Sequence, residues 1–245
     1  MTTLAGLRIK LFADGAALAQ MVELSRRPHI CGFTTNPTLM KKAGVADYRT
    51  FARDALAAIP DRPISFEVLS DDFGEMAAQA REIASWGPNV YVKVPVSNTR
   101  SAPSFDLIHA LSHDGVRVNV TAVMTLPQVE RAATALDGGA PSIVSVFAGR
   151  IADTGRDPAP HMRAALSILR SSPGSELLWA SPRELFNIFQ ADAIGCHIIT
   201  VTADILKKLD WIGRDLNELS LDTVRMFYDD ARSAGLTLPV EAERT

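Results

Sequence analysis

Eight times along this chain a short β-rich run is followed by a stretch with apolar residues at helical spacing. That alternation constrains the fold more than any other feature, because strands that each feed a crossover helix come out parallel. The strand candidates are 8–13, 30–34, 63–68, 89–94, 117–120, 142–146, 176–180 and 197–201. The helical candidates are 16–26, 47–59, 71–86, 105–113, 126–136, 158–170, 183–191 and 203–209. Segment 71–86 shows the logic: Asp71 and Asp72 supply capping chemistry and Phe73, Met76, Ala80 and Ile83 recur at helical spacing. Gly87 and Pro88 then end it. No Gly/Ser-rich linker or change of composition interrupts the series, so residues 1–245 are expected to form one domain. Eight βα units in 245 residues suit an α/β fold of the closed (β/α)8 TIM-barrel type. An open doubly wound sheet is the alternative, and no G-x-G-x-x-G follows the first strand to support its dinucleotide-binding form. An extra C-terminal helix is expected at 220–234, lying across the barrel or against another subunit, which makes a homo-oligomer the expected assembly.

Composition narrows the function classes. The net charge is −3 with both signs interspersed, so nothing favours nucleic acid or an anionic membrane as a partner. Cys31 and Cys196 form no ligand or redox spacing. The N-terminal MTTLAGLRIK has no apolar core of a secretion signal, so a cytoplasmic location is expected and the Asn119-Val120-Thr121 sequon is read as strand. His29, His109, His113, His161 and His197 are scattered without metal-ligand spacing, and neither metal nor cofactor is expected. Trp86 and Trp179 are read as barrel-packing aromatics, with a pocket wall as the alternative.

The residue that most suggests chemistry is Lys93. Val90, Val92 and Val94 alternate with Tyr91, Lys93 and Pro95, so a strand here sends the valines to one face and the lysine to the other. An ammonium taken from water without a partner is costly, and a lysine held neutral in a dry pocket can attack a carbonyl to form a Schiff base. The same parity applied strand by strand turns Asp14, Ser65, Glu67, Asn119, Thr121, Ser145 and Phe147 inward, with Asn36 just beyond the second strand. Ala122 is expected to face the helices with Val118 and Val120. Barrel chemistry collects at the C-terminal strand ends, where Asp14, Asn36, Glu67, Lys93, Asn119, Thr121 and Ser145 converge.

A second cluster follows the sixth and seventh strands. Arg150 and Arg183 offer charge-assisted forks, and Ser181 is expected to cap a helix whose first residue is Pro182. Together they resemble a phosphate seat at a helix N-terminus.

Gly32-Phe33-Thr34-Thr35-Asn36-Pro37-Thr38-Leu39 resembles the signature of the transaldolase family, and Val92-Lys93-Val94-Pro95, Asn119-Val120-Thr121 and Phe147-Ala148-Gly149-Arg150-Ile151 match it in order and spacing. The resemblance implies a Schiff-base lysine at Lys93, acid/base carboxylates at Asp14 and Glu67, and a water held with Thr121. It implies sugar or lysine-positioning contacts from Asn36, Asn119 and Ser145, and phosphate contacts from Arg150, Ser181 and Arg183. Substrates would be ketose and aldose phosphates. The chain is near in size to the small branch that includes fructose-6-phosphate aldolase, which carries glutamine in place of Glu67 and tyrosine near Phe147. The resemblance therefore leaves two activities open, transfer of a dihydroxyacetone unit or its release, beside a non-catalytic sugar-phosphate-binding barrel.

Overall fold

The computed structural model describes residues 4–238. The described residues divide into two compact units, Leu7–Lys208 and a smaller one that combines residues 4–6 with 209–238. In the larger unit β1 (Lys10–Asp14), β2 (Ile30–Thr34), β3 (Ile64–Glu67), β4 (Val90–Pro95), β5 (Val118–Val123), β6 (Ser142–Val146), β7 (Ser175–Trp179) and β8 (Ile198–Thr202) close into a barrel in chain order. Every neighbouring pair is parallel, β8 with β1 included. The open-sheet alternative is thereby removed.

Ten helices decorate the strands: α1 (Leu18–Ser25), α2 (Pro37–Lys42), α3 (Tyr48–Ala58), α4 (Phe73–Ala84), α5 (Phe105–His113), α6 (Leu126–Leu136), α7 (Ala148–Ala152), α8 (Pro158–Leu169), α9 (Phe186–Ala193) and α10 (Ala203–Leu206). Their starts follow cap chemistry. Asp47, Asp72 and Asp157 accept backbone N–H bonds at the starts of α3, α4 and α8, and Thr125 with Gln128 forms a reciprocal capping box at α6. Each such cap contributes about 1 kcal/mol. Two short helices escape the periodicity, which needs several turns to register: α2, capped by Asn36 with Pro37 at its first position, and the five-residue α7.

The outward strand residues form the main core. Val92, Val94, Phe66, Val118, Val120, Val144 and Val146 are all fully buried against the helices. Burying a side chain of this size contributes about 1.5–3 kcal/mol. Inside the barrel, Phe12, Ile143, Leu178, Ala180 and Ile198 form an apolar layer, with Tyr91 and Phe147 packed against it. Phe12 lies so close to β2 that a Cβ on Gly32 would stand 2.6 Å from its ring, so only glycine fits there.

One strand breaks the expected parity. Between β5 and β6 the register runs from Val120 opposite Val144 to Val123 opposite Val146, so β5 carries one extra residue. Ala122 absorbs it with φ +61, a β-bulge. The fully buried Val123, rather than Ala122, therefore resumes the outward series.

In the smaller unit, α11 (Leu216–Ser233) starts a turn before the expected 220 because Asp215 accepts from the N–H groups of Asn217 and Glu218. Arg214 pairs with Asp222 within it, and α11 buries none of its side chains. Among the described residues, no helix is long and apolar enough to cross a membrane.

Candidate active site

Lys93 sits in the middle of β4, flanked in register by Glu67 at the end of β3 and Asn119 on β5. Only 6% of the residue is exposed. The fold supplies it with two acceptors. Nζ donates to the Thr35 carbonyl at 2.9 Å and lies 2.8 Å from Glu67 Oε2. A neutral primary amine still has two N–H donors and one lone pair, so both contacts can persist after deprotonation and leave the lone pair for attack.

Asp14, the last residue of β1, approaches the same lysine from across the barrel. Burial pushes its carboxyl above the usual value of 3.8, against the opposing pull of the Lys93 charge and a hydrogen bond from Thr34, while Glu67 pushes it further up. Thr34 Oγ1 donates to Asp14 Oδ1 at 2.7 Å and shares a short hydrogen bond with the buried Thr200 hydroxyl. Two carboxylates thus bracket one amine. One touches it directly, and the other is a desolvated base poised to accept a proton.

Asn119 and Ser145 meet in a buried ladder beside Lys93. Ser145 Oγ donates to Asn119 Oδ1 at 2.7 Å, and Asn119 Nδ2 donates to Ser65 Oγ at 3.1 Å. Asn119 has no exposed surface, and its amide is held between the two serine hydroxyls. Thr121, 2% exposed, precedes the Ala122 bulge. Asn36 uses Oδ1 to accept from the Leu39 N–H at 3.0 Å, and its amide nitrogen remains a donor for a ligand.

The arginines stand apart from this cluster, after β6 and β7. The guanidinium of Arg150 lies 5.6 Å from the Phe147 ring centroid, and Arg183 makes a two-pronged contact with Asp153, Nε to Oδ1 at 2.9 Å and Nη2 to Oδ2. That contact holds the Asp153 carboxyl below its usual range. The two loops are pressed together, since a Cβ on Gly149 would stand 1.5 Å from the Ser181 carbonyl oxygen. The expected cap at Ser181 is corrected: the residue has φ +61 and α9 begins only at Phe186. The side chain of Asn187 draws the intervening chain into a turn by accepting from the N–H groups of Arg183 and Glu184.

Sequence reasoning passed over Thr34, Thr35 and Thr200, which are buried around Asp14 and Lys93, while Asp153, a conceivable partner of Arg150 by sequence, occupies the Arg183 fork instead. Thr34 and Thr35 carried a signal in their place at the end of β2, beside the chosen Asn36. Trp86 packs edge-on against Tyr48 and Phe66, and Trp179 is fully buried in β7.

A closed parallel barrel that buries a lysine between two carboxylates at its C-terminal strand ends defines an enzyme of the class I aldolase type. The chain matches the family Transaldolase/Fructose-6-phosphate aldolase over residues 11–238 and belongs to it. It is 35% identical over 225 residues to a probable transaldolase of Pelotomaculum thermopropionicum, covering 91% of this chain and 97% of the relative. It is 34% identical over 202 residues to a probable transaldolase of Dehalococcoides mccartyi, covering 82% and 90%. Among solved structures, an HpcH/HpaI aldolase/citrate lyase family protein from Burkholderia cenocepacia aligns with TM-score 0.57 at 14% identity, covering 89% of this chain and 95% of that one. At that identity the likeness concerns the barrel alone.

Proposed function

We propose that this protein transfers a dihydroxyacetone unit from a ketose phosphate to an aldehyde acceptor through a Schiff base on Lys93. The observation that carries the reading is the 2.8 Å contact between the buried Lys93 amine and Glu67, with the desolvated Asp14 opposite. Nζ adds to the ketone carbon, and Glu67, with a water held by Thr121, moves the protons that release the carbonyl oxygen as water. Asp14 then takes the proton of the C4 hydroxyl. The C3–C4 bond breaks, its electrons pass into the iminium as an enamine, and the aldehyde fragment leaves. An acceptor aldehyde reverses these steps, and water finally returns the free lysine. Asn36 is assigned to a sugar hydroxyl. Arg150, Ser181 and Arg183 are assigned to the phosphate, which would take the place of Asp153 in the Arg183 fork.

An ionisable carboxylate at Glu67 can both give and take a proton, so the enamine is expected to wait for an acceptor rather than release free dihydroxyacetone. A cytoplasmic, homo-oligomeric enzyme fits this reading, with α11 a candidate contact between subunits. Borohydride reduction with fructose 6-phosphate, followed by peptide mass analysis, is expected to label Lys93 with one dihydroxyacetone unit. Lys93→Arg is expected to lose both label and turnover, because a guanidinium stays charged. Labelling of Lys41 or Lys42 instead would refute the assignment. Free dihydroxyacetone produced at the same rate with and without an aldose phosphate would favour the aldolase activity.

A further inference from the structure

Tyr48 lies outside the barrel at the start of α3, its ring edge-on to Trp86 and Phe66 with centroids 5.7 and 6.3 Å away. Its hydroxyl nevertheless reaches the backbone of β3. It donates to the Glu67 carbonyl at 2.8 Å and accepts the Glu67 N–H at 2.7 Å. Both bonds fall on the one residue whose carboxylate touches Lys93.

The reason lies in the neighbouring strand. Along β2 the Phe33 N–H donates to the Pro63 carbonyl and the Thr35 N–H to the Ser65 carbonyl. The next donor in that ladder, to the Glu67 carbonyl, would be residue 37, and residue 37 is a proline with no N–H. The acceptor for the Glu67 N–H would be the Thr35 carbonyl, and that oxygen is occupied by Lys93 Nζ. The Glu67 backbone is thus left without its donor and its acceptor on the β2 side. One phenol, with an O–H and a lone pair, supplies both. Burial raises the phenol's pKa, so the donor stays protonated at working pH.

We infer that Tyr48 is a positioning residue for the Glu67–Lys93 pair: its hydroxyl replaces the missing β2 rung, fixes the Glu67 backbone, and leaves the Thr35 carbonyl free to hold the lysine. Without it the Glu67 N–H would compete with Lys93 for the Thr35 oxygen. Tyr48 would then govern how fast the imine forms and hardly affect how tightly sugar binds.

The inference rests on the Schiff-base reading, and the experiment separates the two. Stopped borohydride trapping with fructose 6-phosphate is run on the wild type, Tyr48→Phe, Glu67→Gln and the double variant. Absence of label on wild-type Lys93 would sink the parent reading. With the wild type labelled, Tyr48→Phe is expected to slow trapping by roughly ten-fold, as for loss of a buried hydrogen-bond pair, with KM little changed. In the Glu67→Gln background the same substitution should cost less, because the part of the Tyr48 effect that acts by positioning the Glu67 carboxylate is already gone. Multiplicative losses in the double variant, a wild-type trapping rate in Tyr48→Phe, or a rise in KM at unchanged kcat would each overturn the inference. If Tyr48→Phe fails to fold, a fluorinated tyrosine at position 48 keeps the ring and both bonds while weakening the phenol as an acceptor. It should shift the pH profile of trapping, and an unmoved profile would refute the role.

Discussion

At the ends of β1 to β4 the polar groups are buried and committed to fixed partners: Lys93 to Thr35 and Glu67, and Asp14 to Thr34. At the ends of β6 and β7 the arrangement is the reverse. Arg150, Asp153 and Arg183 are exposed, and Arg183 is matched only with Asp153. The contrast follows from what each side must do. An amine that forms and breaks a covalent bond gains rate from being held at one position between proton carriers, since misplacement by an ångström is expensive. The proposed anion seat would have to exchange water and a spare carboxylate for phosphate at every turnover, and exposed ion pairs, worth little in water, yield readily.

The largest effect that tests this contrast is expected on the committed side. Asp14→Asn should lower kcat by roughly 10²–10⁴, as for loss of a general base. The same variant should be more stable than the wild type at neutral pH. Because the folded carboxyl titrates above its ordinary 3.8, ionisation disfavours the fold, and that cost grows as pH rises through the raised value. Thermal melts should therefore show the variant's advantage at pH 7 and its decline as pH falls below the raised value. A constant advantage across that range would place its origin elsewhere than in the Asp14 charge.

A smaller effect is expected where the two phosphate loops touch. Gly149→Ala brings a carbon to 1.5 Å from the Ser181 carbonyl, so backbone must move and Arg150 with it. KM for a ketose phosphate should rise by about ten-fold or more, as for a lost charge-assisted contact, while trapping of an unphosphorylated ketose changes less. Equal loss on both substrates would mean that the two sides of the mouth are mechanically coupled.

The smallest effect belongs to Asp153. Asp153→Asn releases the Arg183 fork and should lower KM for phosphorylated substrates by about two- to five-fold, with the gain fading in high salt. A higher KM would show that Asp153 holds Arg183 in place for the phosphate instead of competing with it.

The sequence was most readable where one rule acts alone. Alternation of Val90, Val92 and Val94 located Lys93 inside the barrel because the valine face of β4 is fully buried against the helices, and a one-residue slip would have turned the lysine into that core. Asp14 and Glu67 followed by the same parity. Legibility failed where a local exception overrides the rule. Ala122 adopts a left-handed conformation that no alanine advertises, and it shifts the rest of β5 by one. Ser181 followed by proline resembles a helix start, yet the side chain of Asn187 delays the helix to Phe186. Tyr48 was invisible for another reason: its partner is backbone, and the vacancy it fills comes from Thr35 and Pro37, which follow the neighbouring strand β2.

The apolar layer beneath the lysine has a consequence for traffic. Phe12 lies against Gly32, and Ile143, Leu178 and Ile198 pack with it, so apolar side chains fill that layer of the barrel interior. In the proposed reaction, water expelled as the imine forms, and water readmitted to hydrolyse it, would pass through the mouth that also admits the sugar. A bound acceptor would then stand in the doorway that hydrolysis needs, and occupancy of the mouth would itself defend the proposed enamine against premature loss.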